Sequence, residues 1–189
     1  MLFRSPWNPV FYKEGMSLAV PQTARNSPRS LDPNIKCGNY LNNILAVSEA
    51  KDLGADDALL LSLDGKLTEA SNSNVIFVNN GELQTPKHEP GTNTGNLRGL
   101  TRTLISDLAS RAGISYSELA LYPENILNAT ECFVSSATRE VMPVRELLLP
   151  NQKKLQFTKG GGPVTKRIQE EYSRFVKEYV SKRKAEAWL

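Results

Sequence analysis

Residues 39–52, NYLNNILAVSEAKD, place Leu41, Ile44, Leu45 and Val47 at mostly helical spacing, and Gly54 follows as a stop. The spacing predicts a helix with an apolar side packed inward. The pattern then changes to that of strands in DALLLSLDGKLTEASNSNVIFVNNGELQTP. Asp64-Gly65 and Asn80-Gly81 are favoured tight-turn pairs, so two hairpins joining three strands are expected. ALLLSL is nearly all apolar, as a strand buried on both faces would be.

After the polar KHEPGTNTGN, the segment LRGLTRTLISDLASRAG puts Leu100, Leu104 and Leu108 in one row and ends at Gly113. This predicts an amphipathic helix. ISYSELALY reads as a strand, PENILNA as a short helical turn opened by proline, and ECFVSSA and VMPVREL as strands. The tail GGGPVTKRIQEEYSRFVKEYV reads as a helix with Pro163 in its first turn. Val164, Ile168, Tyr172, Phe175 and Tyr179 lie on its inner face. Residues 1–33 hold Pro6, Pro9, Pro21, Pro28 and Pro33 around the short extended pieces VFYKEG and MSLAV, which suggests a linker or edge segment. The whole is a mixed α/β pattern in one compact unit, with residues 34–189 as the main domain.

Composition narrows the function classes. The 189 residues carry 23 Lys+Arg against 20 Asp+Glu, and a net charge of +3 is too mild to argue for nucleic acid. Two cysteines, Cys37 and Cys132, make no disulfide framework, and one histidine, His88, makes a His/Cys zinc site a poor reading. No run approaches the ~18 apolar residues of a membrane span, and MLFRSPWNPVF has no signal-peptide core. A soluble cytoplasmic protein is the default, with an organelle left open.

Four local features bear on chemistry. Lys36, in NIKCGNYL, stands where a strand hands over to a helix, and a lysine there is either solvated or a desolvated nucleophile. Glu69, in LTEASNSN, is either a solvated hairpin residue or a carboxylate held against a ring nitrogen. Gly99, Leu100 and Thr101 open the predicted helix, and that end is either capped by Thr101 or left as an anion site. CFVSSATREVMPV runs a strand into hydroxyls and amides, which suits phosphate or carboxylate, or simply a polar loop.

The order KxxN, TExxxxN, GxTR and a Ser/Thr-rich strand end before PV resembles the class IV, fold type IV, pyridoxal-phosphate aminotransferases. These include branched-chain and D-amino acid aminotransferases and aminodeoxychorismate lyases. The resemblance runs from about Tyr12 to the C-terminal helix and includes GGPVTKRIQEEY. It implies the family's large domain, a mixed sheet or pseudo-barrel with surrounding helices. It also implies pyridoxal 5'-phosphate as cofactor, amino acid and 2-keto acid substrates, and a homodimer. By resemblance, Lys36 is the lysine bonded to the cofactor, and it shuttles a proton between substrate Cα and cofactor C4′. Glu69 pairs with the pyridinium nitrogen, Leu97 packs on the ring and Tyr40 lines it. Gly99, Leu100 and Thr101 hold the phosphate. Ser136, Ala137 and Thr138 hold phosphate and, through amides, the substrate carboxylate.

The match has departures. Ala137 stands where branched-chain enzymes usually have Thr, as in some lyases, and Glu69-Ala-Ser-Asn-Ser-Asn is closer to the D-amino acid and lyase branches. KCGNYLNN and GPVTKRIQ are closer to branched-chain sequences. Transaminase and carbon–oxygen lyase therefore both stand, beside a chain that keeps the fold without turnover. The family's smaller N-terminal domain, with its phosphate arginine, has only its exit segment FYKEGMSLAV here, which implies a fragment or truncated gene model. Neither Arg25 nor Arg29 is assigned that arginine's role.

Overall fold

A computed structural model of the chain describes residues 7–35, 37–88 and 95–186. The strands, in chain order, are β1 (Met16–Ala19), β2 (Asp57–Leu61), β3 (Leu67–Ala70), β4 (Asn74–Asn79), β5 (Glu82–Pro86), β6 (Tyr116–Leu119), β7 (Glu131–Ser136), β8 (Glu140–Leu148) and β9 (Lys154–Gln156). The helices are α1 (Val10–Glu14), α2 (Leu41–Asp52), α3 (Leu100–Arg111) and α4 (Pro163–Glu186), with a 3-10 turn at Pro123–Ile126.

The strands form one mixed sheet in the order β3-β2-β1-β8-β7-β4-β5-β6, with β9 added beside β8. β1 runs parallel to both β2 and β8, and β5 parallel to β6; the other pairs are antiparallel. The sheet curls until its two ends meet. The Leu67 N–H, on edge strand β3, donates to Leu121 O, just past the other edge strand β6, at 2.8 Å.

Alternation along the strands sorts side chains to two sides. Val75 and Phe77 of β4, with Cys132 and Val134 of β7, join Met16, Leu18, Leu59 and Leu67 in the concave interior. Their neighbours Ile76, Val78 and Phe133 face α3 and α4 instead, packing on Ile105, Leu108, Ile168 and Tyr172. A third layer, rich in alanine, lets α2 approach β1 and β2 closely through Ala46, Ala50, Ala19 and Ala58. α2 and α3 both end as the sequence predicts. Gly54 and Gly113 have φ of 80° and 70°, and each permits the paired carbonyl bonds of a Schellman cap, Ala55 N to Ala50 O and Ile114 N to Ala109 O.

Several expectations are corrected. Residues 1–33 are not edge material throughout, because β1 lies between β2 and β8 and all four of its residues are buried. The stretch LTEASNSNVIF is two strands. The chain bends at residues 71–73, where Ala70 N donates to Ser73 O, and β4 leaves β2 to pair with β7. Two hairpins thus use four strands. In α2 the apolar row Leu41, Ile44 and Leu45 is exposed, while Asn43, Ala46 and Ala50 are buried. In α3 Leu100 is 89% exposed, and the inner face is Arg102, Ile105, Leu108 and Ala109. Arg102 enters the interior because its Nη1 donates to Pro86 O at 3.0 Å and its Nη2 meets the Glu118 carboxylate. Tyr179 of α4 stacks on Phe175 but stays half exposed. β9 has no counterpart in the sequence reading.

Candidate functional site

A cavity of about 300 Å³ opens where strand ends and helix starts converge. Glu69 enters from β3 and Ser71–Asn74 from the bend that follows. Ser135, Ser136 and Ala137 come from the end of β7, and Leu97, Gly99, Leu100 and Thr101 from the start of α3. Tyr40 and Asn43 come from the start of α2. The volume is that of a small-molecule site, at the low end of the usual range.

Glu69 is 6% exposed and heavily bonded. Its Oε1 accepts from Arg25 Nη2 at 2.7 Å, and its Oε2 accepts from Leu97 N at 3.1 Å and Asn74 Nδ2 at 3.4 Å. Arg25 also donates to Asn43 Oδ1 at 2.6 Å and Gly95 O at 3.0 Å. Asn43 in turn donates to Ser71 O. A buried carboxylate needs such compensation, and this one is offset by a cation and by amide donors. The solvated-hairpin reading of Glu69 is thereby excluded.

The start of α3 is open. Its N-cap is Gly99, with no side-chain capping bond, so Thr101 does not cap it. By contrast, the first turn of α4 is closed by the buried Glu131, which accepts from Val164 N at 3.1 Å and Thr165 N at 2.8 Å. Among the described residues no side chain accepts from the first amides of α3, whose residues line the cavity, and with the helix dipole they favour an anion there. Glycine at 99 leaves room for Asn74, since a Cβ there would collide with Asn74 Oδ1 unless that side chain moved. Ser135 Oγ is a second signal, a buried hydroxyl with no hydrogen-bond partner among the described residues, on a residue that lines the same cavity.

Of the sequence-predicted site residues, Tyr40, Glu69, Leu97, Gly99, Leu100, Thr101, Ser136 and Ala137 come together on this cavity. Thr138 is not in the lining; its hydroxyl stands 3.4 Å from Ser136 Oγ. Lys36 lies outside the described residues, and its sequence neighbours Ile35 and Cys37 both line the cavity. Sequence reasoning missed Arg25, Asn43, Arg98 and Ser135, and it gave no role to Asn74, the last residue of TExxxxN. Arg25 sits in a proline-rich stretch that reads as a linker. Ser135 adjoins Ser136 in SSAT, and strand alternation alone does not say which of two serines keeps a free hydroxyl. Arg98 lines the cavity, is exposed, and has no carboxylate partner among the described residues.

The model of the Amino-transferase class IV family matches residues 1–147, and the chain belongs to that family. It is 34% identical over 162 residues to the branched-chain-amino-acid aminotransferase of Escherichia coli K12, covering 85% of this chain and 50% of that one. Its fold is similar to the branched-chain aminotransferase of Thermoproteus uzoniensis solved with norvaline, at TM-score 0.77 and 31% identity. That match covers 90% of this chain and 54% of that one. It is also similar to the Thermobaculum terrenum enzyme in its PLP-bound holo form, at TM-score 0.79 and 28% identity, with the same coverages of 90% and 54%. The chain thus spans about half the length of the relatives it matches.

Proposed function

We propose that this chain, from β1 onward, is the pyridoxal 5'-phosphate domain of an aminotransferase that moves an amino group between a branched-chain amino acid and a 2-keto acid. One observation carries the reading. A buried carboxylate, an open helix N-terminus and a buried hydroxyl unpartnered among the described residues converge on a single cavity. That donor and acceptor set fits a ring nitrogen at one point and a phosphate at another. The names of the relatives support the cofactor and the substrate class.

Bound, the cofactor supplies an electron-withdrawing ring that stabilises charge at the amino acid Cα. Glu69, its charge fixed in place by Arg25, would accept a hydrogen bond from the protonated ring nitrogen. The α3 amides of Leu100 and Thr101, with the hydroxyls of Thr101, Ser135 and Ser136, would bind phosphate. Leu97 would restrict the ring plane from one side. Lys36 would bond the cofactor and carry the proton taken from the substrate Cα. The exposed row Leu41, Ile44 and Leu45 on α2 supports association into a homodimer.

Titration with pyridoxal 5'-phosphate should give a visible absorption band. Borohydride reduction followed by peptide mapping should find the adduct on Lys36, and Lys36→Ala should abolish it. An adduct that persists in that variant overturns the assignment. Formation of glutamate from 2-oxoglutarate and a branched-chain amino acid tests the substrate class. Release of pyruvate and 4-aminobenzoate from aminodeoxychorismate would move the activity to the lyase branch. A silent titration would leave a chain that keeps the fold without cofactor.

A further inference from the structure

Arginine in a surface hairpin turn ordinarily points into water. Arg139 does not. It closes the turn between β7 and β8 and is 3% exposed. Its Nη1 donates to Asp57 Oδ2 at 2.6 Å and to Ser73 Oγ at 3.0 Å, and its Cζ lies 4.5 Å from the centre of the Trp7 ring. Its backbone is held as well. The N–H donates to Ser136 Oγ at 3.2 Å, and the carbonyl accepts from Tyr12 Oη at 3.2 Å. Asp57, on β2, is itself 1% exposed.

One side chain thus ties together β2, the bend after β3, the segment before β1 and the β7–β8 turn. Neither Arg139 nor Asp57 lines the cavity, but the residues they hold do. Ser135, Ser136 and Ala137 form one wall, and Ser71, Asn72, Ser73 and Asn74 form another. Glu140, directly after Arg139, has φ 55°. A non-glycine residue adopts that left-handed conformation at a cost, so the turn is one that its surroundings must hold. A buried ion pair adds little net stability over a well-packed apolar pair, and a geometric role is the better reason for this one.

We propose that Arg139 is a positioning residue. Through Asp57 and Ser73 it sets the β7–β8 turn against the 71–74 bend, at the separation a phosphate-bearing ligand needs. The proposal rests on the cofactor reading above. The test compares pyridoxal 5'-phosphate with pyridoxal, which lacks the phosphate, on the unaltered chain, Arg139→Met and Arg139→Lys.

Arg139→Met should weaken the phosphorylated compound at least tenfold and leave pyridoxal within twofold, and Arg139→Lys should recover part of the loss. Equal loss of both compounds, or of neither, overturns the proposal. Should Arg139→Met fail to fold, Asp57→Asn replaces it with the same expected discrimination. Should the unaltered chain take up neither compound, the cofactor reading fails separately. Amide hydrogen exchange then decides the strut, because Arg139→Lys should speed exchange at least tenfold at residues 71–74 and 136–140 alone. Unchanged exchange there overturns it.

Discussion

Arg25 Nη2 stands 2.7 Å from Glu69 Oε1, and both side chains are largely withdrawn from water. The pair links a stretch that reads as a linker to the strand that carries the candidate ring-binding carboxylate. Removing the cation takes away the charged partner that a buried carboxylate needs. Arg25→Ala should therefore cost about 3 kcal/mol of folding stability, measured by urea unfolding. It should also weaken cofactor uptake. Arg25→Lys should recover part of the stability, because it keeps the charge but not the three-way fork to Glu69, Asn43 and Gly95.

Gly99 and Asn74 should behave as one unit. Gly99→Ala pushes Asn74 from its bonds to Glu69 and Leu97 and should cost about 2 kcal/mol. In an Asn74→Ala background the same change should cost clearly less, with a coupling of about 1 kcal/mol or more in a double-mutant cycle. Additive losses would mean that the clash is relieved elsewhere.

Arg98 lines the cavity beside the open start of α3. Arg98→Ala should leave stability within about 0.5 kcal/mol, since the side chain is exposed and makes no ion pair among the described residues. It should lower affinity for pyridoxal 5'-phosphate several-fold at low salt, with a smaller effect at high salt. Titration at two ionic strengths measures both parts.

Stability should fall at alkaline pH in two steps. Burial pushes the Cys132 thiol well above its ordinary value, so the folded state keeps that proton longer than the unfolded chain does. The folded state then binds more protons, and stability declines once pH rises past the unfolded thiol, about 8.5. Burial also pushes the Tyr116 phenol up to about 12, with the same sign from about pH 10 upward. Cys132→Ala should remove the first part of the slope and Tyr116→Phe the second. Tyr116→Phe should be nearly neutral at pH 7, because the hydroxyl is buried without a hydrogen-bond partner among the described residues. Urea midpoints from pH 7 to 11 test each step.

Periodicity located most elements, because strand alternation, Gly54, Gly113 and the Asn80-Gly81 turn are local signals. It failed where burial is decided by distant chain. Leu41, Ile44 and Leu45 look like a core face, but α2 settles on its alanines because β1 and β2 come close there. MSLAV carries no local mark of a central strand, since its place depends on β8. Within the site, the Glu69 and Gly99–Thr101 stretches were legible because each is a contiguous motif. Arg25, Asn43 and Arg139 were not, because each acquires its partners only through folding.

The place of β1 also constrains how the chain can be made. Its Met16 pairs with Val144, so the middle of the sheet stays unzipped until β8 has left the ribosome. Contacts so remote in sequence slow folding and prolong the lifetime of bare strand edges. During synthesis β1 can pair with β2 early, but its other edge waits for β8, and that interval is when a chaperone, or another nascent copy, would find it.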